Sequence, residues 1–351
     1  MSSADVLIPP VAAYQPSVYQ PTAPSQAVPL VDNWQRRLTY LRLSVTDVCN
    51  FRCSYCLPNG YSGKPAPALT LAEISTLLAG FAALGMTKVR LTGGEPATRQ
   101  DLADIIAQAA NQTGVRTVAL SSNGYKLGSQ VRRWQAAGLN QLNISVDSFD
   151  APTFQRLTGM DVLPRLLGDI DSALALAMTI KLNGVLFADT AFDTLQGALA
   201  FVKTRPVTYR FIELMQTRDN VGRFFAKQPA SLRERLVDYL LQNGWQPQPR
   251  AQDAGPAIEY AHADFVGKIG IIAPYAEHFC DTCNRLRVSS TGKLHLCLFD
   301  SVNHDLRPWL QANDVAGLMM TVQNLMAYKP PRHQLQQQDS GLMHNLSLIG
   351  G

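Results

Sequence analysis

The 351-residue chain is 46% apolar and 17% charged, enough to bury a sizeable core and too apolar for a disordered polyelectrolyte. Lys and Arg exceed Asp and Glu by 31 − 27 = 4, a surplus too mild to indicate nucleic acid but compatible with an anionic small substrate. No run approaches the roughly 18 apolar residues that a membrane span requires.

Residues 1–35 contain no Lys or Arg, and six prolines fall between Pro9 and Pro29. A secretory leader needs a basic start and an apolar run, and a transit peptide needs arginines. Residues 1–33 are therefore expected to be a disordered Pro-rich tail on a cytoplasmic protein. From Arg37 onward, short β-rich runs alternate with longer helical ones. Strands are predicted at 41–46, 88–92, 116–121, 142–146, 180–186 and 208–214, and helices at 69–85, 101–110, 129–137, 163–177 and 193–203. Thr70 and Glu73 have the spacing of a capping box. Ser231 and Glu234 repeat it before a further helix at 232–243. Repeated β-α alternation implies parallel strands with crossover helices, in a barrel-like or a doubly wound sheet. A looser region begins near residue 246, so the chain divides into 34–245 and a less regular 246–351.

The loops after the strands carry the chemistry, at the rim where parallel α/β folds place their sites. After the first strand come Cys49, Cys53 and Cys56, a C-x3-C-x2-C run. Three thiols in eight residues cannot all pair as disulfides, and a metal or cluster is the economical reading. A four-iron cluster normally takes four thiolates, so three would leave one iron open. After the second strand comes Gly93-Gly94-Glu95-Pro96, where missing Cβ atoms permit close backbone approach. Ser122-Asn123-Gly124 and Ser145-Val146-Asp147-Ser148 follow the next two strands.

Cys280, Cys283 and Cys297 form a second set, C-x2-C-x13-C. Zinc, with His278 or His295 as fourth ligand, and a second iron-sulfur cluster both fit that spacing. Arg42, Arg90, Lys181 and Arg210 lie within or at the ends of predicted strands, an awkward place for charge unless an anion faces it. Arg285 and Arg287 are two apart, so an extended segment would turn both the same way, as a polyphosphate would require. The apolar C-terminus ends in Gly350-Gly351, an odd tail to leave free.

Taken together, the first cysteine run with its aromatic Tyr55, the Gly93-Gly94-Glu95-Pro96 loop, the 210–215 strand ending in Met215, the 279–287 segment and the terminal glycines resemble the radical S-adenosylmethionine enzymes. Within that superfamily they are most similar to the GTP 3′,8-cyclases of molybdenum cofactor biosynthesis, from about Trp34 to the last residue. The resemblance implies a partial (β/α)6 TIM-like barrel with an irregular C-terminal region carrying a second 4Fe-4S cluster. It implies that Cys49, Cys53 and Cys56 hold a 4Fe-4S cluster that binds S-adenosylmethionine, with Tyr55, Gly94, Ser145 and Met215 contacting the latter. One-electron reduction would give a 5′-deoxyadenosyl radical that takes hydrogen from the 3′ carbon of GTP, and the carbon radical would close onto C8. Cys280, Cys283 and Cys297 would hold the second cluster, facing the guanine. Arg42, Arg90, Ser121, Lys181, Arg210, Arg285 and Arg287 would contact GTP, and Arg285, Arg287, Gly350 and Gly351 would act in catalysis. The family commonly has Thr where this chain has Ser121 and Ser122, which keeps a hydroxyl and loses a methyl. Implied partners are an electron donor and a downstream cyclic pyranopterin monophosphate synthase, with a homodimer as the candidate assembly and no nucleic acid or membrane. Competing readings are a radical enzyme acting on a peptide and a non-catalytic zinc-stabilised binding protein.

Overall fold

The computed structural model describes residues 29–62, 64–217, 231–250, 254–300, 302–341 and 349. The first part of the chain alternates as expected: β1 (Tyr40–Thr46), α1 (Leu71–Ala83), β2 (Lys88–Gly93), α2 (Leu102–Ala110), β3 (Thr117–Ser122), α3 (Leu127–Ala136), β4 (Gln141–Ser145), α4 (Ala151–Thr158), α5 (Leu163–Leu174), β5 (Thr179–Leu186), α6 (Ala191–Thr204) and β6 (Thr208–Glu213). Beyond it lie α7 (Leu232–Gln242), β7 (Gln246–Pro247), β8 (Ile258–Ala261), β9 (Lys268–Ile272), β10 (Arg285–Val288), β11 (Lys293–His295), β12 (His304–Asp305), α8 (Arg307–Gln311) and α9 (Val315–Leu325).

Strands β1 to β6 pair in sequence order, each parallel to the next, which is the six-unit partial barrel. The region expected to be irregular joins the same sheet. Strand β9 adds parallel to β6 at one edge, and β10 adds parallel to β1 at the other. Short antiparallel strands then finish both edges, giving the order β12-β11-β10-β1-β2-β3-β4-β5-β6-β9-β8-β7. The segment from β9 to β10 therefore crosses the open side of the barrel from edge to edge. Cys280 and Cys283 lie on that crossing.

Local chemistry explains the elements. Strand β1 is buried along its whole length, as expected of a parallel strand covered on both faces. Helix α1 starts on the expected box: Thr70 Oγ1 accepts from the Glu73 amide at 3.2 Å, and Glu73 Oε2 accepts from the Thr70 amide at 2.8 Å. The second expected box does not form. Ser231 makes no side-chain cap bond, and Glu234 is bonded to the neighbouring Arg233. Helix α4 was not predicted, although Asp150 caps it, Pro152 sits in its first turn and Gly159 ends it at φ +74°. No helix among the described residues is long and apolar enough to cross a membrane.

Candidate active site

The first cysteine run leaves β1 and is tied to the end of α4. The Arg52 amide donates to Thr158 O at 3.2 Å, and the Ser54 amide donates to Leu157 O at 2.9 Å. Cys49, Cys53 and Cys56 are free, half-buried and line one pocket. Tyr55, Gly94, Ser145 and Met215 line the same pocket, so the sequence expectation brings together residues from four different strand ends. The glycines serve the protein's own backbone. A Cβ on Gly94 would lie 2.3 Å from Val48 O, and one on Gly93 would lie 2.1 Å from Thr46 O, so both permit the cysteine loop to pack on β2.

Two buried carboxylates, Asp147 in the pocket's lining and Glu95 beside its glycine loop, were quoted from sequence only as members of their loops. Asp147 accepts from Tyr55 Oη at 2.8 Å and from the Val185 amide at 2.9 Å, fixing the cysteine loop to β5. Glu95 accepts from the Ala97 amide (2.9 Å), Ser122 Oγ (2.8 Å) and the Asn123 amide (2.7 Å). Burial pushes Glu95 up to about 7 against the pull of these donors. Asn123 in turn donates to Asn50 Oδ1 at 3.0 Å, so Glu95 orders the β3 loop and, through it, the cysteine loop. A charged residue between a glycine pair and a proline was the available signal.

The second pocket is lined by Cys280, Cys283, Cys297, Arg42, Arg90, Arg210, Arg285, Arg287 and Ser121. It meets the first at Ser121, Asn183, Ile212 and Met215, which line both. Arg287, Arg42 and Arg90 are cross-strand partners in register on β10, β1 and β2. They are 5%, 8% and 6% exposed. Like charges directly opposite one another destabilise a sheet, and here they also lie out of water. Burial, with Arg90 and Arg285 nearby, brings Arg42 down to about 10, and Arg287 falls well below its usual range through burial and then Arg42. Guanidinium groups do not surrender their protons in proteins. The repulsion is therefore a standing cost that an anion would relieve.

Arg210 is aimed by two amides, donating to Asn183 Oδ1 at 2.9 Å and Asn143 Oδ1 at 2.7 Å. Arg90 Nη1 lies 3.4 Å from Ser121 Oγ and stacks over Tyr40 with 5.5 Å to the ring centroid. Lys181 is the expected residue that does not line the pocket: its Nζ pairs with Glu259 Oε1 at 2.7 Å. Gly350 and Gly351 lie outside the described residues, but the adjoining Ile349 is 3% exposed.

Neither histidine proposed for zinc lines the second pocket. His278 is exposed and bonded to Asp281 at 2.8 Å, and His295 is paired across from Arg287 on β11. The histidine that does is His333, whose Nε2 meets Pro274 O at 3.0 Å and whose ring packs on Phe299 at 5.4 Å. Among the described residues no three His, Cys, Asp or Glu side chains meet as ligands of one ion. Each cysteine set instead offers three free, half-buried thiols lining one pocket, which fits a cluster with one iron left for a ligand.

Comparison with known proteins agrees with this geometry. Residues 43–167 match the family model for the Radical SAM superfamily, and residues 207–335 match that for Molybdenum Cofactor Synthesis C. The GTP 3′,8-cyclase of Synechococcus elongatus is 49% identical, over 92% of this chain and 99% of its own. That of Pectobacterium atrosepticum is 45% identical, again over 92% and 99%. The chain belongs to the GTP 3′,8-cyclase family. Streptococcus suis SuiB bound to S-adenosylmethionine is similar in fold, with a TM-score of 0.55 at 11% identity over 82% of this chain and 68% of that one. The GTP 3′,8-cyclase likeness spans both pockets, whereas the SuiB likeness speaks only to architecture.

Proposed function

We propose that this protein converts GTP to (8S)-3′,8-cyclo-7,8-dihydroguanosine 5′-triphosphate, the first step of molybdenum cofactor biosynthesis. The observation that carries this reading is two three-cysteine pockets that meet at Ser121, Asn183, Ile212 and Met215, the second lined by arginines. Its cofactors are two 4Fe-4S clusters and S-adenosylmethionine, which when bound supply a 5′-deoxyadenosyl radical on one-electron reduction. Cys49, Cys53 and Cys56 hold the first cluster, and Cys280, Cys283 and Cys297 hold the second.

Tyr55, Gly94, Ser145 and Met215 receive S-adenosylmethionine in the first pocket. Arg42, Arg90, Arg210 and Arg287 bind the triphosphate, where bidentate guanidinium bonding offsets their mutual repulsion. Arg285 and Ser121 position the nucleoside, and Arg285 and Arg287 also serve catalysis. Lys181 joins them once its pair with Glu259 opens. Gly350 and Gly351 help to position or trigger the radical step. In this division of labour, residues 34–245 generate the radical and share the substrate with 246–351, which contribute Arg285, Arg287 and the second cysteine set to the second pocket. A separate electron donor and a cyclic pyranopterin monophosphate synthase that consumes the product complete the reaction's setting in the cytoplasm, with a homodimer as the candidate assembly.

Anaerobic reconstitution tests the cofactor assignment. It should give about eight irons per chain, two clusters of four. One zinc with about four irons would overturn the assignment of the second cysteine set.

A further inference from the structure

A buried cation lies beside the second cysteine set without lining its pocket. Lys329 is 4% exposed, and its Nζ donates to two backbone carbonyls, those of Arg285 at 3.3 Å and of Leu296. Leu296 immediately precedes Cys297, and Arg285 follows Cys283 by two residues. Among the described residues Lys329 enters no ion pair. An ammonium taken out of water with only carbonyl dipoles for company is costly unless an anion is near.

The lysine is held in place by the segment before β1. Trp34 Nε1 donates to Lys329 O at 3.1 Å, and Asn33 Nδ2 donates to Ala327 O at 3.0 Å. Arg36 donates to the carbonyls of Pro330 (2.7 Å), Pro331 (2.8 Å) and Cys280 (3.1 Å). Arg36 is itself neutralised by Asp32 at 2.6 Å, whereas Lys329 has no such partner among the described residues.

We propose that Lys329 is a positioning residue of the second iron-sulfur site, its buried ammonium the counter-charge of a cluster held by Cys280, Cys283 and Cys297, which it makes easier to reduce. This rests on the cluster assignment given above. A fixed positive charge in a low dielectric favours the state carrying the extra electron, and net local charge is one of the quantities that set cluster potentials.

The test uses the full chain, reconstituted anaerobically, as wild type, Lys329→Met and Lys329→Arg. Iron content is measured, and both clusters are titrated electrochemically with EPR detection. The first cluster is told apart by the change in its signal when S-adenosylmethionine is added. Expected are about eight irons in all three proteins. In Lys329→Met the second cluster should be at least tenfold harder to reduce, a midpoint lower by about 59 mV for one electron. The first cluster should not move, and Lys329→Arg should recover most of the shift. Loss of the second cluster in Lys329→Met alone would equally support a counter-charge. Eight irons with an unmoved potential would overturn the proposal, as would loss of that cluster in both variants, because then shape and not charge is what the site needs. Wild-type protein with only about four irons would overturn the cluster assignment and the proposal with it.

Discussion

Arg287 Nη1 donates to the carbonyl oxygen of Ile349 at 3.3 Å, joining β10 to a residue 62 positions later. Ile349 packs in a small cluster with Met215, Phe299 and Leu335, and Met215 lines both pockets. Ile349 is thus anchored at the junction of the two sites. Residues appended after Gly351 are expected to lower kcat by at least about tenfold, roughly 1.4 kcal/mol of barrier, while leaving the melting temperature unchanged. Full activity in a C-terminally extended protein would contradict this.

The in-register arginines give a prediction with opposite signs for stability and binding. Arg90→Met removes one of three crowded charges and keeps the bulk, so the ligand-free protein should gain about 1 kcal/mol in denaturant unfolding. GTP should bind at least about tenfold more weakly, because a phosphate partner is lost. A variant that loses stability would show that Arg90 is held by contacts other than an anion.

Replacing both Arg285 and Arg287 by Ala should abolish turnover while leaving both clusters assembled. Iron content and visible absorption report the clusters independently of activity. Normal turnover would mean that the β10 arginines are misassigned.

Lys181 offers a test of substrate-driven rearrangement. Its pairing with Glu259 competes with any role at GTP. Glu259→Gln should therefore lower KM for GTP several-fold, and Lys181→Ala should raise it. If both variants leave KM unchanged, Lys181 serves only to pin β8 to β5.

The six barrel strands and the positions of both cysteine sets were legible because long alternating runs and fixed ligand spacings are local patterns. What joined the sheet at its edges was not: β10 has four residues and β11 three, too few for a period to register. Helix α4 had its cap, proline and terminal glycine in plain view, but eight residues gave too little helical repeat. That Lys181 does not line the second pocket could not be read in advance, because sequence cannot reveal its pairing with Glu259, 78 positions away. Lys329 went unnoticed, and Glu95 and Asp147 were read only as members of their loops, for a related reason. Their importance comes from burial beside the cysteines, which only the fold creates.

The anchor of Tyr55 on Asp147 should be measurable as stability. Tyr55→Phe leaves a buried carboxylate with one donor fewer, at a cost of about 1–3 kcal/mol. The three thiols remain, so the first cluster should still assemble. Unchanged unfolding free energy would mean that the loop is held by its backbone bonds to α4 alone.

The central claim is the conversion of GTP. Removal of one hydrogen atom from the 3′ carbon, followed by ring closure and the return of one electron and one proton, leaves the composition of GTP unchanged. Reconstituted protein incubated anaerobically with GTP, S-adenosylmethionine and reductant should yield a triphosphate of the same mass as GTP but different chromatographic retention, together with equimolar 5′-deoxyadenosine. GTP recovered unaltered, with 5′-deoxyadenosine released only when some other substrate is supplied, would contradict the account.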